Sequence, residues 1–272
     1  MIELVDTHCH IQNIGQNNHA NHTTKKWLDA GITDVDKIIN VAKNKNVTRL
    51  IVVGCDYYES KNAINLVKNR TNLYASIGIH PHEAKEYFNN QELLDKLSSL
   101  ANQEKVVAIG ECGLDYHYNH SPKDAQLAIL EFQLGLASKH NLPVIFHVRE
   151  AYEDFWPLLD KYPNIRGVLH SFTDNQANLD IALKRNLYIG VNGIVTFTNE
   201  PEQLNLFKNI PLIHLLLETD SPYLTPDPYR GNINTPEMVR RVAEFLAEIR
   251  HLNYENLASI TTNNSKQLFG IN

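Results

Sequence analysis

Asp6-Thr7-His8-Cys9-His10 places two imidazoles two positions apart inside a short run that reads as a strand. Residues i and i+2 of a strand share a face, so His8 and His10 converge on one point while Cys9 turns the other way. Four more residues able to bind a cation close or follow other β-branched runs: Glu111, His147, His170 and Asp220. Imidazole and carboxylate without thiolate select borderline to hard divalent ions such as Zn²⁺, Mn²⁺ or Mg²⁺. Six such ligands are too many for one tetrahedral ion and suit two ions sharing a carboxylate. Glu111 is the expected shared ligand, because its run lies between the His8/His10 side and the His147/His170 side. His8, His10, Glu111 and Asp220 would then hold one ion, and Glu111, His147 and His170 the other. Two ions about 4 Å apart activate a water and hold the attacking and leaving oxygens of a phosphodiester, so hydrolysis is the expected chemistry. Glu111 and Asp220 are the expected catalytic carboxylates, with Asp220 accepting the proton of the attacking water.

Residues so far apart in the chain need a scaffold that brings strand ends together. Eight β-branched runs, at 2–6, 50–54, 73–80, 106–111, 144–148, 167–171, 187–192 and 213–218, alternate with stretches of helical spacing. The helical stretches are 36–45, 59–69, 91–103, 123–140, 151–161, 175–185 and 202–207, followed by 235–250 and 253–269. Eight such βα repeats predict an α/β fold, a single (β/α)₈ TIM barrel over residues 1–272 with extra C-terminal helices, against the rival of an open doubly wound sheet. In such a barrel the carboxyl ends of the strands form one rim, where active sites are built. The stretch 11–33, rich in Asn, Gln, Gly and His, reads as a long irregular loop over the barrel mouth.

Composition narrows the classes of partner. A net charge of −6 provides no global positive field for nucleic acid, so an anionic substrate needs a local charge. At 43% hydrophobic residues the chain can build a core and does not read as disordered. Three cysteines make no complete disulfide framework, the start lacks a signal-peptide pattern, and no run reaches about 18 apolar residues. These features predict a cytoplasmic protein with no membrane segment and no evident obligatory protein partner.

Several neighbours carry weaker signals. Arg149 shares strand parity with His147 and can grip a phosphate, unless it pairs with Glu150 or Glu153. Asp115 and Tyr116 can orient a ligand or substrate or form a plain turn, and Glu218 shares parity with Asp220. Cys9 and Cys112 flank ligands on the opposite face and read as packing residues. His214, at the start of its run, reads as structural, and His19, His22, His117, His120, His140 and His251 have no spacing that singles them out.

The strings DTHCH, GIHPH, GECGLDYH, PVIFHVRE, GVLHSF and ETDSPYL, in that order and ending with NNSKQLFG, resemble the TatD-type metal-dependent deoxyribonuclease family over nearly the whole chain. The resemblance implies a TIM barrel of the amidohydrolase-like group and a divalent-metal nuclease that trims DNA from the 3′ end. It maps the metal ligands onto the same six residues, and it implies that His80 or His82, of which His82 is the candidate, contacts a substrate phosphate. Two departures bear on the substrate. No acid follows His10 in Ile11-Gln12-Asn13, and where the family has a basic Gly-Lys-Arg-Asn stretch this chain has Arg230-Gly231-Asn232-Ile233-Asn234. Each lost phosphate contact weakens nucleic-acid binding, whereas Tyr116, Tyr118, Phe172, Tyr223 and Tyr229 are candidates to stack bases. The expected activity is hydrolysis of DNA at single-stranded or frayed 3′ ends using two divalent ions (Mg, Mn or Zn), with His82, Arg149 and Tyr116 on the substrate. The alternatives are a metal-dependent hydrolase of a small ester, lactone, cyclic amide or aminoacyl ester, and a metal-binding scaffold without turnover.

Overall fold

The computed structural model describes residues 2–16 and 21–272. Its strands are β1 (Leu4–Cys9), β2 (Val47–Val53), β3 (Leu73–Ile77), β4 (Val106–Asp115), β5 (Val144–Arg149), β6 (Gly167–Leu169), β7 (Tyr188–Val191) and β8 (Leu215–Leu217). The helices are α1 (His22–Asp29), α2 (Val35–Asn44), α3 (Tyr57–Val67), α4 (Ala84–Tyr87), α5 (Gln91–Ser98), α6 (Lys123–His140), α7 (Tyr152–Leu159), α8 (Gln176–Lys184), α9 (Pro201–Asn209), α10 (Val239–Ile249) and α11 (Tyr254–Phe269). Contacts divide the described chain into two compact units, one of residues up to 52, 171–267 and 272, the other of 53–170 and 268–271.

In the first unit, β1 pairs in parallel with β2 (Leu4 opposite Val47, Asp6 opposite Leu50) and β7 with β8 (Ile189 opposite Leu215, Val191 opposite Leu217). The last strand lies beside the first. A parallel bridge joins Cys9 to Ser221, and the Thr7 hydroxyl donates to the Leu217 carbonyl at 3.0 Å. Every residue of β1 is buried, as a parallel strand covered on both faces requires. Helix α10 buries Val239, Val242, Ala243, Leu246 and Ala247, the i, i+3, i+4, i+7 stripe of an element lying on a sheet.

In the second unit, β3, β4, β5 and β6 form successive parallel pairs, with Ile77 opposite Ile109, Gly113 opposite His147, and Phe146 opposite Leu169. Helix α6 covers this side and carries two buried glutamines. Gln133 accepts from the Ile79 N–H (2.7 Å) and donates to the Ile79 carbonyl, while Gln126 accepts from the Asp115 N–H (2.8 Å) and donates to its carbonyl. Each glutamine completes the backbone pairing of a residue where a strand gives way to a loop. At Gly113 any side chain is excluded, since a Cβ would fall 1.7 Å from the His147 carbonyl oxygen.

Two expectations change. The stretch 11–33 is not wholly irregular: α1 occupies His22–Asp29, capped by the Asn21 side chain, which accepts from the Thr24 N–H at 2.8 Å. Strand β4 runs four residues past Glu111 to Asp115, so Glu111 lies within a strand rather than at its end. No helix of the described residues is long and apolar enough to cross a membrane.

Candidate metal centre

The end of β1 is stitched to the loop after β8 through backbone and side chain alike. The Asp220 N–H donates to the His8 carbonyl and the His10 N–H to the Ser221 carbonyl, both at 2.8 Å. Asp6, fully buried, accepts from the Thr219 N–H (2.8 Å) and the Thr219 hydroxyl (2.6 Å). These bonds hold Asp220 in the left-handed region at φ 57°, a conformation that costs a non-glycine residue free energy and persists only where its surroundings impose it. The result is a tight group: His8 Nε2 lies 3.1 Å from His10 Nε2, and Asp220 Oδ1 lies 3.8 Å from the first and 3.3 Å from the second. Burial pushes the Asp6 carboxyl up to about 8 against the pull of its Thr219 hydrogen bonds.

A second group forms in the other unit around Glu111. Its Oε1 lies 2.8 Å from His147 Nδ1, 3.5 Å from His80 Nε2 and 3.9 Å from His170 Nε2. Cys55 directs its thiol at Glu111 Oε2 at 3.7 Å. His147 turns its other nitrogen to Asp115 Oδ2 at 2.9 Å, and His82 Nε2 meets the same oxygen at 3.0 Å. Asp115 is buried, and its Oδ1 accepts from the N–H groups of His117 and Tyr118. Although burial pushes the Asp115 carboxyl up, hydrogen bonds from His147 and His82 hold it well below the usual range. Burial also lowers His147, but its bonds to Asp115 and Glu111 outweigh that and raise it to about 9. Burial dominates at His80 and brings it down to about 4. At neutral pH His80 thus presents a lone pair, while His147 carries a proton that a cation must displace.

Both groups fit a divalent ion. Ligand atoms about 2.1 Å from a shared tetrahedral ion lie roughly 3.4 Å apart. The separations run from 3.1 to 3.8 Å in the first group and from 2.8 to 3.9 Å in the second. The ligand atoms of His80, Glu111 and His147 all lie within 4.8 Å of one another. Nitrogen and carboxylate oxygen donors are what Zn²⁺, Mn²⁺ and related ions take.

Of the six residues expected as ligands, His8, His10 and Asp220 come together in the first group and Glu111, His147 and His170 in the second. His80 joins the second group, a place that strand parity alone did not reserve for it. The Gly-Ile-His-Pro-His string was the available signal. His82 sits on Asp115. The Arg149 guanidinium lies over the Tyr118 ring, 4.8 Å from its centroid, and Glu150 pairs with His117 at 2.7 Å instead. The Tyr116 ring lies under the Lys123 ammonium at 5.1 Å, toward the start of α6. Buried Glu218 accepts from the N–H of Ser171, the residue after His170, at 2.7 Å. Cys9 and Cys112 are buried thiols whose pKa burial raises, so neither is a ready nucleophile. His214 bonds the Leu187 carbonyl, and His19 lies outside the described residues.

Known proteins resemble this chain along its length. The family described as TatD related DNase matches residues 5–270. The uncharacterized metal-dependent hydrolase YabD of Bacillus subtilis is 40% identical over 271 residues, covering 99% of this chain and 100% of that protein. The 3'-5' ssDNA/RNA exonuclease TatD of Erwinia amylovora is 35% identical over 246 residues, covering 88% of this chain and 94% of its own length. Among solved structures, a hydrolase TatD family protein from Entamoeba histolytica superposes with a TM-score of 0.85 at 26% identity, covering 99% of both chains. Likeness at that level shows the fold class, an α/β chain of the (β/α)₈ barrel type, and β8 returning beside β1 is the pairing that such a fold requires.

Proposed function

The chain belongs to the TatD related DNase family and is a metal-dependent hydrolase, and from that premise we propose that it hydrolyses phosphodiester bonds of DNA from single-stranded or frayed 3′ ends. The observation that carries the reading is the pair of imidazole–carboxylate groups, part buried and part half-buried, built on Asp220 and Glu111. His8, His10, Glu111, His147, His170 and Asp220 are the proposed ligands of two divalent ions, Mg²⁺, Mn²⁺ or Zn²⁺. When bound, such ions supply Lewis acidity toward the phosphoryl oxygens and an activated water. Asp220, held by the Asp6–Thr219 bonds, takes up the proton of the attacking water. Glu111 and Asp115 fix the ring of His147 from both sides, as carboxylates that orient ligating imidazoles do. His82 and Arg149 are the proposed contacts to substrate phosphate. The name of the Erwinia amylovora relative supports both the polarity and the single-stranded preference. We place the enzyme in the cytoplasm, on the cysteine usage.

One observation favours a second reading, hydrolysis of a small ester or cyclic amide. The stretch 230–234 retains one cation, Arg230, which is exposed, with its guanidinium 3.8 Å from the centroid of Phe197 and donating to the Thr225 carbonyl at 2.9 Å. One cation grips a long polyanion less strongly than the basic stretch it stands in for would. Competition between an oligonucleotide and small esters for the metal-loaded enzyme separates the two. Cleavage of the oligonucleotide at the higher kcat/KM supports the nuclease, and cleavage of the ester alone refutes it.

A further inference from the structure

Helix α1 is anchored to the first ligand group at two points. Trp27 is fully buried, and its indole N–H donates to the carbonyl of His10 at 2.9 Å. Tyr223, three residues beyond Asp220, hydrogen-bonds through its hydroxyl to His22 Nδ1 (3.0 Å) and to Thr23 Oγ1 (2.9 Å). The Tyr223 ring stacks on His22 at 5.8 Å and meets His10 edge-on at 6.4 Å. Over that ring lies the ammonium of Lys26, 5.3 Å from its centroid, while Lys25 beside it is exposed. A ring quadrupole attracts a cation and narrows where it sits.

These contacts give the helix more order than a solvated charged face needs. A helix serving solubility alone has no use for an indole bonded to the backbone of a candidate metal ligand. Neither does it need a tyrosine that touches both that ligand and the lysine of the helix. The chain has a net charge of −6, and the stretch 230–234 offers a single cation, Arg230. Lys26, held over Tyr223, and the exposed Lys25 next to it add two cations on the helix anchored to His10.

We propose that α1 is a phosphate-binding arm: Lys25 and Lys26 contact backbone phosphates of a polynucleotide a few nucleotides from the scissile bond, and Tyr223 sets the position of Lys26 relative to His10. The inference rests on the phosphodiesterase reading above and adds the element that holds the strand beyond the reacting group.

On a single strand each phosphate contact adds about 0.7 to the slope of log affinity against log salt, equivalent at 0.1 M salt to roughly fivefold in affinity. Replacing both lysines (Lys25→Ala, Lys26→Ala) should therefore reduce the slope by about 1.4. It should also lower the ratio of kcat/KM for a single-stranded oligonucleotide to that for bis(p-nitrophenyl) phosphate by about 25-fold. The Lys25→Arg, Lys26→Arg pair, which conserves charge, recovers the ratio, and circular dichroism confirms that each variant is folded. An unchanged ratio and slope in the alanine pair, with a wild type that cleaves the oligonucleotide, overturns the arm alone. Failure of the arginine pair to recover the ratio also overturns it, since packing rather than charge would then be at work. A wild type that cleaves the small diester and no nucleic acid overturns the proposed function, and the arm with it.

Discussion

The His147 imidazole, bonded to Glu111 on one nitrogen and to Asp115 on the other, makes metal binding a proton-exchange reaction. Burial lowers its pKa, but the two carboxylates prevail and bring it to about 9. At pH 7 roughly one molecule in a hundred then has the nitrogen unprotonated, and stripping the proton costs about 3 kcal/mol. Apparent affinity for Mn²⁺ should therefore rise nearly tenfold per unit from pH 7 to 9 through this group and level off above. His80, at about 4, adds no dependence in that range. Asp115→Asn removes one of the two charges that hold the proton. The variant should release less proton at pH 7 and reach its plateau at lower pH. The plateau itself should fall roughly 10- to 100-fold, because the carboxylate that orients the ring is gone. Calorimetric titration of metal-stripped protein with Mn²⁺, at pH 7, 8 and 9 in buffers of differing ionisation enthalpy, counts the protons. Equal proton release and equal pH dependence in wild type and Asp115→Asn would refute the reasoning.

Three further outcomes follow from the packing. Asp6→Ala removes the acceptor of two Thr219 hydrogen bonds that hold Asp220 in its left-handed conformation. It should lower kcat/KM roughly 10- to 100-fold, as loss of a group supporting a ligand does, and a value within twofold of wild type would contradict this. Gly113→Ala places a Cβ 1.7 Å from the His147 carbonyl oxygen and should destabilise the protein by about 3 kcal/mol or more, read in urea denaturation. Leu246→Ala, on the buried stripe of α10, should cost about 2–5 kcal/mol while the specific activity of the folded fraction is retained.

What the sequence disclosed about the site follows from period. The i, i+2 rule placed His8 and His10 on one face, and their Nε2 atoms lie 3.1 Å apart. The helical stripe of 235–250 is α10, preceded by a short turn at Pro236–Met238. Contacts between segments far apart in the chain have no such signature. Nothing in the period of α6 says that Gln126 and Gln133 complete the backbone of Asp115 and Ile79, since a polar residue on a buried stripe looks like an exception to it. Asp115 read as a plain turn residue as easily as a site residue, because its partners come from elsewhere in the chain, His147 from β5 and His82 from the short turn Pro81–Glu83 after β3. Helix α1 escaped for a local reason. It spans eight residues with a β-branched Thr23-Thr24 pair and no acid in its first turn, and its fully buried apolar residue is Trp27. Such a segment shows too little periodicity to stand out.

The proposed use of metal held by these six residues to cut DNA is open to a direct test. The most direct measurement is digestion of 5′-labelled single-stranded DNA, duplex DNA and RNA by metal-stripped protein, with Mg²⁺, Mn²⁺ or Zn²⁺ restored and with folded Glu111→Ala and Asp220→Ala proteins alongside. The expected result is a ladder shortening from the 3′ end of single-stranded DNA that requires added metal and is lost in both variants. Intact nucleic acids at every metal, or cleavage that persists in either variant, would contradict it.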